Sequence, residues 1–164
     1  MAKFVVTPSS EKQRAAWTGG GIPEVEQVRP GLWSIPVPIP VSPLRYVLVY
    51  ALELDGGVAI VDAGWNTDEA YDALTAGLGV AGHTIADVRA VLVTHIHPDH
   101  YGLAGRVREA SGAWIGLHPA DARLLRDRYD EAYIDLKKAI LAAPDSPAVR
   151  RDLGRTAGRD CRRQ

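Results

Sequence analysis

Residues 94–100 read Thr94-His95-Ile96-His97-Pro98-Asp99-His100, and this heptad decides how the rest of the chain is interpreted. Three of the five histidines of the 164-residue chain fall within it, with an aspartate between the second and the third. The heptad follows Ala90-Val91-Leu92-Val93, a run that is too short and too uniformly apolar for an exposed helix and is typical of a strand buried on both faces. The histidines therefore begin where an inner strand is predicted to end.

The spacing inside the heptad suits metal coordination. In an extended backbone, residues two apart project to the same side about 6.6 Å apart, which lets His95 and His97 converge on one cation. Pro98 keeps His97 extended and suits the first turn of a following helix, so the chain changes direction inside the motif. Asp99 and His100 then point to another side, which suits a second metal about 3.5–4 Å from the first. We predict one or two Zn²⁺ ions, with a hydroxide as nucleophile at neutral pH.

The residues around the heptad predict a mixed α/β unit over residues 31–143. Residues 46–61 read as a β-hairpin, because two β-branched and aromatic runs flank a turn at Asp55-Gly56-Gly57. A helix capped by Asn66 is predicted to end at Gly79. Residues 90–117 read as strand, helix and strand, and such β-α-β units place functional loops beyond the carboxyl ends of the strands.

Both ends of the chain differ from this unit. Residues 1–30 are predicted to be a loosely ordered lead-in, because Gly19-Gly20-Gly21 and Pro23 interrupt any period. Prolines at positions 36, 38, 40 and 43 restrict that stretch to an extended edge or a loop. We expect residues 144–164 to be a poorly ordered tail rich in arginine and glycine.

Composition excludes several classes of partner. Nineteen basic and twenty acidic residues leave a formal net charge of −1, and no basic stretch is interleaved with aromatic residues, so nucleic acid is not expected to bind. The longest apolar run, residues 46–52, is far shorter than the roughly 20 residues of a membrane span. The single cysteine, Cys161, has no partner for an internal disulfide, and no signal peptide is visible. We therefore predict a cytoplasmic protein that acts on a small molecule.

The motifs also carry a family resemblance. His95-Ile96-His97-Pro98-Asp99-His100 resembles the His-x-His-x-Asp-His signature of the metallo-β-lactamase superfamily, and Val61-Asp62-Ala63-Gly64 resembles its upstream strand-end motif. The resemblance covers about residues 31–127 and implies the N-terminal half of an αββα sandwich, of class α+β or α/β, with helices on the outer face of a mixed sheet. It implies His95 and His97 on a first metal, and Asp99 and His100 on a second. It also implies that Asp62 supports the site without binding the metal, and a turn or helix cap is an equal alternative for that residue.

The resemblance implies a zinc hydrolase in which a metal-bound hydroxide attacks an ester, thioester or lactone carbonyl, with Asp99 as the catalytic residue that orients it. The superfamily places a third histidine, a bridging carboxylate and a last histidine in its second half. Downstream of His100 this chain has only His118, which we predict to be a loop or cap residue. His83 is predicted to be exposed. We therefore expect a truncated chain, with little turnover of its own and a sheet face open to self-association.

Two alternatives to the hydrolase stay open. The chain could be a non-catalytic metal-binding or interaction domain, which requires only the residues that are present. It could also be a diiron electron-transfer protein, although relatives of that kind commonly carry a glutamate where this chain has His97. Zinc and hydrolysis are favoured by that resemblance alone.

Overall fold

A computed structural model describes residues 10–40 and 42–129 of the chain, which divides into two compact units, Met1–His118 and Pro119–Gln164. The predicted tail, residues 144–164, lies outside the described residues. The strands and helices of the described residues have the following bounds. The strands are β1 (Glu26–Arg29), β2 (Leu32–Pro38), β3 (Tyr46–Leu54), β4 (Gly57–Val61), β5 (Val88–Leu92) and β6 (Trp114–Gly116); the helices are α1 (Glu11–Gly19), α2 (Asp68–Val80), α3 (Pro98–Tyr101), α4 (Ala104–Ser111) and, in the second unit, α5 (Pro119–Tyr129).

The six strands form one mixed sheet in the order β1-β2-β3-β4-β5-β6. Strands β1 to β4 pair antiparallel, and β5 pairs parallel with both β4 and β6. The predicted hairpin is β3 and β4, and the predicted β-α-β unit is β5, α4 and β6. The mixed sheet of the predicted fold class is therefore confirmed, and the two parallel steps bring the carboxyl ends of β4, β5 and β6 to one edge.

Helices α2 and α4 cover one face of this sheet. Ile35, Val49, Ile60 and Val91 are fully buried and form a single core cluster with α2 and α4. The opposite face carries residues of the same strands that keep a large exposed area: Leu52 (37%), Leu92 (37%) and Trp114 (59%). The prediction that the strand before the heptad is buried on both faces was wrong at Leu92: Val91 is fully buried on one face, whereas on the other face Ala90 is buried and Leu92 is not.

The proline-rich stretch forms an extended edge, as predicted. Strand β1 pairs with β2 only over residues 32–34, whereas β3 pairs with all of β2. Pro36 and Pro38 therefore lie where β2 has a described neighbour on one side only, and a missing backbone donor is tolerated there. Pro40 and Pro43 follow in a turn that Ile39 closes by donating to the carbonyl of Arg45 at 2.8 Å.

The lead-in is more regular than predicted in its described part. Helix α1 begins after Ser10, whose hydroxyl accepts from the amide of Gln13 at 3.1 Å, and it ends at Gly20, which has a φ of +78°. The glycines thus terminate a helix and do not prevent one. Gln13 also donates to the Ser34 hydroxyl at 2.8 Å, and Arg45 donates to the carbonyl of Trp17 at 3.0 Å. These contacts come from distant residues, so no local period reveals them.

Helix α2 lies close to its predicted place. The cap of α2 is Thr67 and not Asn66, because the Thr67 hydroxyl is the group that accepts from the amide of Ala70, at 3.2 Å. A short 3₁₀ turn at Ile85–Asp87 follows Thr84. It leads directly into β5, the strand that carries the heptad.

A pH effect on this turn is expected from Asp87. Its carboxylate accepts from the hydroxyl and the amide of Thr84 at 2.7 and 2.8 Å, and these bonds hold the pKa of Asp87 below its ordinary value. Because the pKa is lower in the folded state than in the unfolded state, the two bonds stabilise the fold at pH values above the unfolded-state pKa. This stabilisation is lost as the pH falls through the folded-state pKa. We expect melting temperature to fall less steeply below about pH 4 in Asp87→Asn than in the parent chain. Equal slopes in the two proteins would contradict this.

Candidate metal centre

The heptad forms a bend followed by the first turn of a helix. Strand β5 ends at Leu92, and Thr94 and His95 bend away from the sheet, so they do not continue the extended strand as the sequence suggested. His97 is extended, with φ −69° and ψ 142°, and α3 begins at Pro98. The predicted change of direction at Pro98 is therefore present, and the histidines leave the sheet at its carboxyl edge.

The four predicted metal ligands lie together. The ring centroid of His95 is 4.6 Å from that of His97 and 4.0 Å from that of His100. Nε2 of His100 lies 3.4 Å from Oδ2 of Asp99. Two donor atoms on one tetrahedral zinc, each bound at about 2.0–2.2 Å, are separated by about 3.4 Å. Asp99 and His100 therefore already have the separation of two ligands of one cation.

Asp62 contacts this cluster from the adjacent strand end. It directly follows β4, is only 5% exposed, and has a φ of +63°, a left-handed conformation that aspartate tolerates better than most residues. Its carboxylate accepts from the amide of Thr94 at 2.8 Å and from the hydroxyl of Thr94 at 2.9 and 3.0 Å. Nδ1 of His100 lies 2.8 Å from Oδ2 of the same group. Asp62 thus both caps the bend of the heptad and orients one of its imidazoles.

Backbone hydrogen bonds tie the two strand-end loops together. Asp62 donates to the carbonyl of Leu92 at 2.9 Å, Ala63 to that of His100 at 2.7 Å, and Leu103 to that of Gly64 at 3.0 Å. The main chain of the loop after β4 is therefore joined to both ends of the loop after β5. The position of the candidate ligands depends on these main-chain bonds as well as on side-chain packing.

Imidazole nitrogens and a carboxylate oxygen are the ligands that zinc prefers, so the donor chemistry of the cluster fits the predicted ion. In the part of the chain that the structure describes, no three His, Cys, Asp or Glu side chains are arranged to hold a metal as they stand. The imidazoles lie at contact distance in edge-on and tilted orientations, so their nitrogens would need only a local adjustment to meet at a common point. The residues present thus fit a metal with local adjustment.

The other two histidines lie elsewhere. His83 follows α2, and its amide donates to the carbonyl of Leu78 at 2.9 Å. It precedes the start of β5, whereas the heptad follows the other end of that strand. It is half-buried, and not exposed as predicted. His118 is exposed and follows β6. Thr94 belongs to the heptad but no role was predicted for it, although a hydroxyl residue directly before the first histidine was a visible signal.

A groove of about 620 Å³ opens beside the cluster. Its polar end is formed by Asp62, Thr94, Asp99 and His100. Its remaining lining is mainly apolar and aromatic, and comes from α1, β3 and the segments next to them: Trp17, Leu44, Tyr46, Val47, Leu48, Tyr50 and Val61. Two of the four candidate donors, Asp99 and His100, therefore line a largely apolar groove.

Comparisons with known proteins agree with this geometry. A profile of the metallo-beta-lactamase superfamily matches residues 42–162. "Probable metallo-hydrolase YqjP" of Bacillus subtilis is 38% identical over 108 residues, which are 66% of this chain and 30% of that protein. A crystal structure of a metallo-beta-lactamase family protein from Thermus thermophilus is 37% identical with a TM-score of 0.58, over 70% of this chain and 38% of the other. BJP-1, a subclass B3 metallo-beta-lactamase of Bradyrhizobium japonicum, is 20% identical with a TM-score of 0.54, over 71% and 40%.

Sheet order, strand-end loops and the histidine cluster define a mixed α/β protein with a candidate metal centre at the carboxyl edge of its sheet. The chain belongs to the metallo-beta-lactamase superfamily, because the family match covers most of its length and the likeness extends to solved structures. The chain spans less than half the length of the relatives it matches. In the part of the chain that the structure describes, none of the helices is long and apolar enough to cross a membrane.

Proposed function

We propose that this chain carries the first half of the active site of a zinc-dependent hydrolase. The observation that carries the proposal is the convergence of His95, His97, Asp99 and His100 at one strand end, with Asp62 behind them. His95 and His97 would hold a first ion, and Asp99 and His100 a second. Bound zinc supplies a water that ionises near neutral pH. Asp99 would hold the proton or orient the attacking oxygen at its carboxylate.

The groove supports a small-molecule substrate with an apolar part. Trp17, Tyr46 and Tyr50 offer aromatic surface for such a part, while the carbonyl would lie at the polar end beside Asp99 and His100. We therefore propose an ester, thioester or lactone as the substrate class and expect no nucleic acid as a partner. A cytoplasmic location stays a prediction from the sequence.

The test begins with metal content, because binding requires only residues that this chain contains. Purified protein is saturated with zinc, desalted and measured by elemental analysis alongside His95→Ala and the control His118→Ala. We expect one or two zinc ions per chain in the parent and in the control, and less zinc in His95→Ala. Equal zinc in all three proteins, or none in the parent, would overturn the metal assignment.

Hydrolysis is measured on the same samples with a p-nitrophenyl ester, a thioester and a lactone, before and after chelation. Turnover that chelation removes and zinc restores supports the hydrolase. Bound zinc without turnover of any of the three would favour the alternative of a non-catalytic metal-binding domain, and iron in the chain as purified, before zinc is added, would favour the diiron protein.

One structural observation favours an interaction role as the second candidate. Leu52, Leu92 and Trp114 expose apolar surface on the sheet face opposite α2 and α4. Leu92 and the ring of Trp114 meet next to Gly116, so their surface is continuous. A continuous, exposed apolar surface commonly marks a protein–protein interface, and we propose that the chain associates with a second copy of itself through this sheet face. Sedimentation of the parent and of Trp114→Ser at several concentrations tests this, and a monomer throughout would exclude it.

A further inference from the structure

The side chain of Thr94 contacts both Asp62 and His95 at the candidate metal centre. Its hydroxyl oxygen is 2.9 and 3.0 Å from the two carboxylate oxygens of Asp62 and 3.0 Å from Nδ1 of His95. The side chain thus links Asp62, on the loop after β4, to a candidate ligand on the loop after β5. None of the roles assigned so far uses this hydroxyl.

The number of available protons determines the direction of these bonds. An ionised carboxylate only accepts hydrogen bonds, and a hydroxyl has one proton to donate. The Thr94 proton must therefore be directed to Asp62, and only lone pairs of the hydroxyl remain for His95. A neutral imidazole nitrogen at 3.0 Å from a lone pair forms a hydrogen bond only if it carries the hydrogen.

We propose that Thr94 is a positioning residue that fixes His95 in the tautomer protonated at Nδ1, so that Nε2 is the nitrogen offered to the metal. Asp62 acts in the same way on His100. Its carboxylate accepts from Nδ1 at 2.8 Å, so Nε2, which lies 3.4 Å from Oδ2 of Asp99, is the nitrogen without a proton. One hydrogen-bonded pair, Asp62 and Thr94, thereby sets the coordinating nitrogen of two imidazoles. Fixing the tautomer of a ligand through its other ring nitrogen is a general means of orienting metal sites.

The inference rests on the proposed function for the statement that these imidazoles bind zinc, but the tautomer itself is measured without metal. Long-range ¹H–¹⁵N correlation spectra of the ¹⁵N-labelled, metal-free chain at about pH 8, where an ordinary imidazole is neutral, distinguish the two tautomers. We expect His95 in the Nδ1–H form in the parent and in Thr94→Ser. In Thr94→Val, which keeps the shape of the side chain but not the hydroxyl, we expect a mixture with the Nε2–H form.

Thr75→Val is the matched control. Its hydroxyl is buried and makes no hydrogen bond within the described residues, so the same exchange there removes no bond. We expect His95 to keep its tautomer in this variant, and His83, remote from the heptad, to keep its own spectrum in all four proteins. His95 in the Nε2–H form in the parent, or unchanged in Thr94→Val, would overturn the inference. Because the parent spectrum alone can do so, the test does not depend on how well Thr94→Val folds.

Metal affinity provides the second measurement. Competition between each chain and a chromophoric chelator for Zn²⁺ and Co²⁺ is expected to show about tenfold weaker binding in Thr94→Val. Loss of a residue that hydrogen-bonds a metal ligand typically weakens metal binding by about 10–100-fold. Because Thr94 is exposed and water competes for its hydrogen bonds, we expect the loss of affinity to lie at the lower end of that range. Thr94→Ser and Thr75→Val should bind within about threefold of the parent. If the parent chain binds no metal but has the expected tautomer, the proposed function fails and the tautomer assignment stands.

Discussion

Asp62→Ala is expected to weaken zinc binding by about 10–100-fold and to lower the free energy of unfolding by about 2–4 kcal/mol. The carboxylate accepts from the amide and hydroxyl of Thr94 and from Nδ1 of His100, so its removal leaves three groups without their acceptor. Hydrogen bonds to a charged group contribute about 1.5–3 kcal/mol each, and water at the partly exposed heptad would replace some of them. The φ of +63° adds a cost, because alanine tolerates this conformation less well than aspartate.

Asp62→Asn separates these contributions. Asparagine tolerates a positive φ and keeps an oxygen for the amide of Thr94, so the loss of stability should be smaller than in Asp62→Ala. Its amide nitrogen would face His100, however, and would require Nδ1 to accept instead of donate. We therefore expect metal affinity to fall in Asp62→Asn even where folding is largely preserved.

Asp68→Ala is the control for both variants. Its side chain is 92% exposed and pairs with Arg106 at 2.9 Å on the surface. Exposed ion pairs contribute about 0–1 kcal/mol, so this change should leave zinc affinity unaltered and stability nearly so. Urea unfolding of metal-free protein and chelator competition measure the two quantities. Zinc affinity in Asp62→Ala equal to that of Asp68→Ala would show that Asp62 only caps the turn.

Gly102→Ala is expected to destabilise the fold by about 3 kcal/mol or more, with loss of the metal centre. A Cβ at this position would lie 2.4 Å from the carbonyl oxygen of Pro98, 2.7 Å from the amide nitrogen of Asn66 and 2.9 Å from the carbonyl oxygen of Gly64. All three are backbone atoms, so no side chain can rotate away. The methyl group could be accommodated only by separating the loops after β4 and β5, which the bond from Leu103 to Gly64 holds together.

Gly105→Ala provides the matched comparison, three residues away in α4. A Cβ at Gly105 meets nothing within 4 Å, and alanine is favoured over glycine inside a helix by about 0.8–1 kcal/mol. The same chemical change should therefore stabilise the protein slightly at one position and damage it at the other. Thermal unfolding of both variants measures this, and similar melting temperatures would contradict the steric role of Gly102.

Much of the fold followed from local patterns. The hairpin of β3 and β4, the helix α2 and the strand before the heptad were predictable because each depends on neighbouring residues: alternation, a glycine turn, an apolar stripe. Helix α1 was not, because its attachment depends on Ser34 and Arg45, which are distant in sequence. The exposure of Leu92 was also missed, since an apolar residue in a short strand has the same sequence signal whether or not its second face is covered.

The candidate site divides in the same way. The heptad and its turn at Pro98 were predictable from residue types and spacing. The resemblance implied that Asp62 supports the site but not that it contacts His100, because that bond joins residues 38 positions apart. The bond from Thr94 to His95 joins neighbours in the chain, yet it depends on where the carboxylate of Asp62 lies, and so it required the structure.

The bonds from Ala63 to His100 and from Leu103 to Gly64 are made by peptide groups, which every amino acid supplies. The spacing of the two loops thus depends on these main-chain bonds and on the close approach of the backbone at Gly102, and not on the candidate donor side chains His95 and His97. Replacing one of these imidazoles should therefore change which ion the centre prefers while the main-chain frame that carries it keeps its geometry.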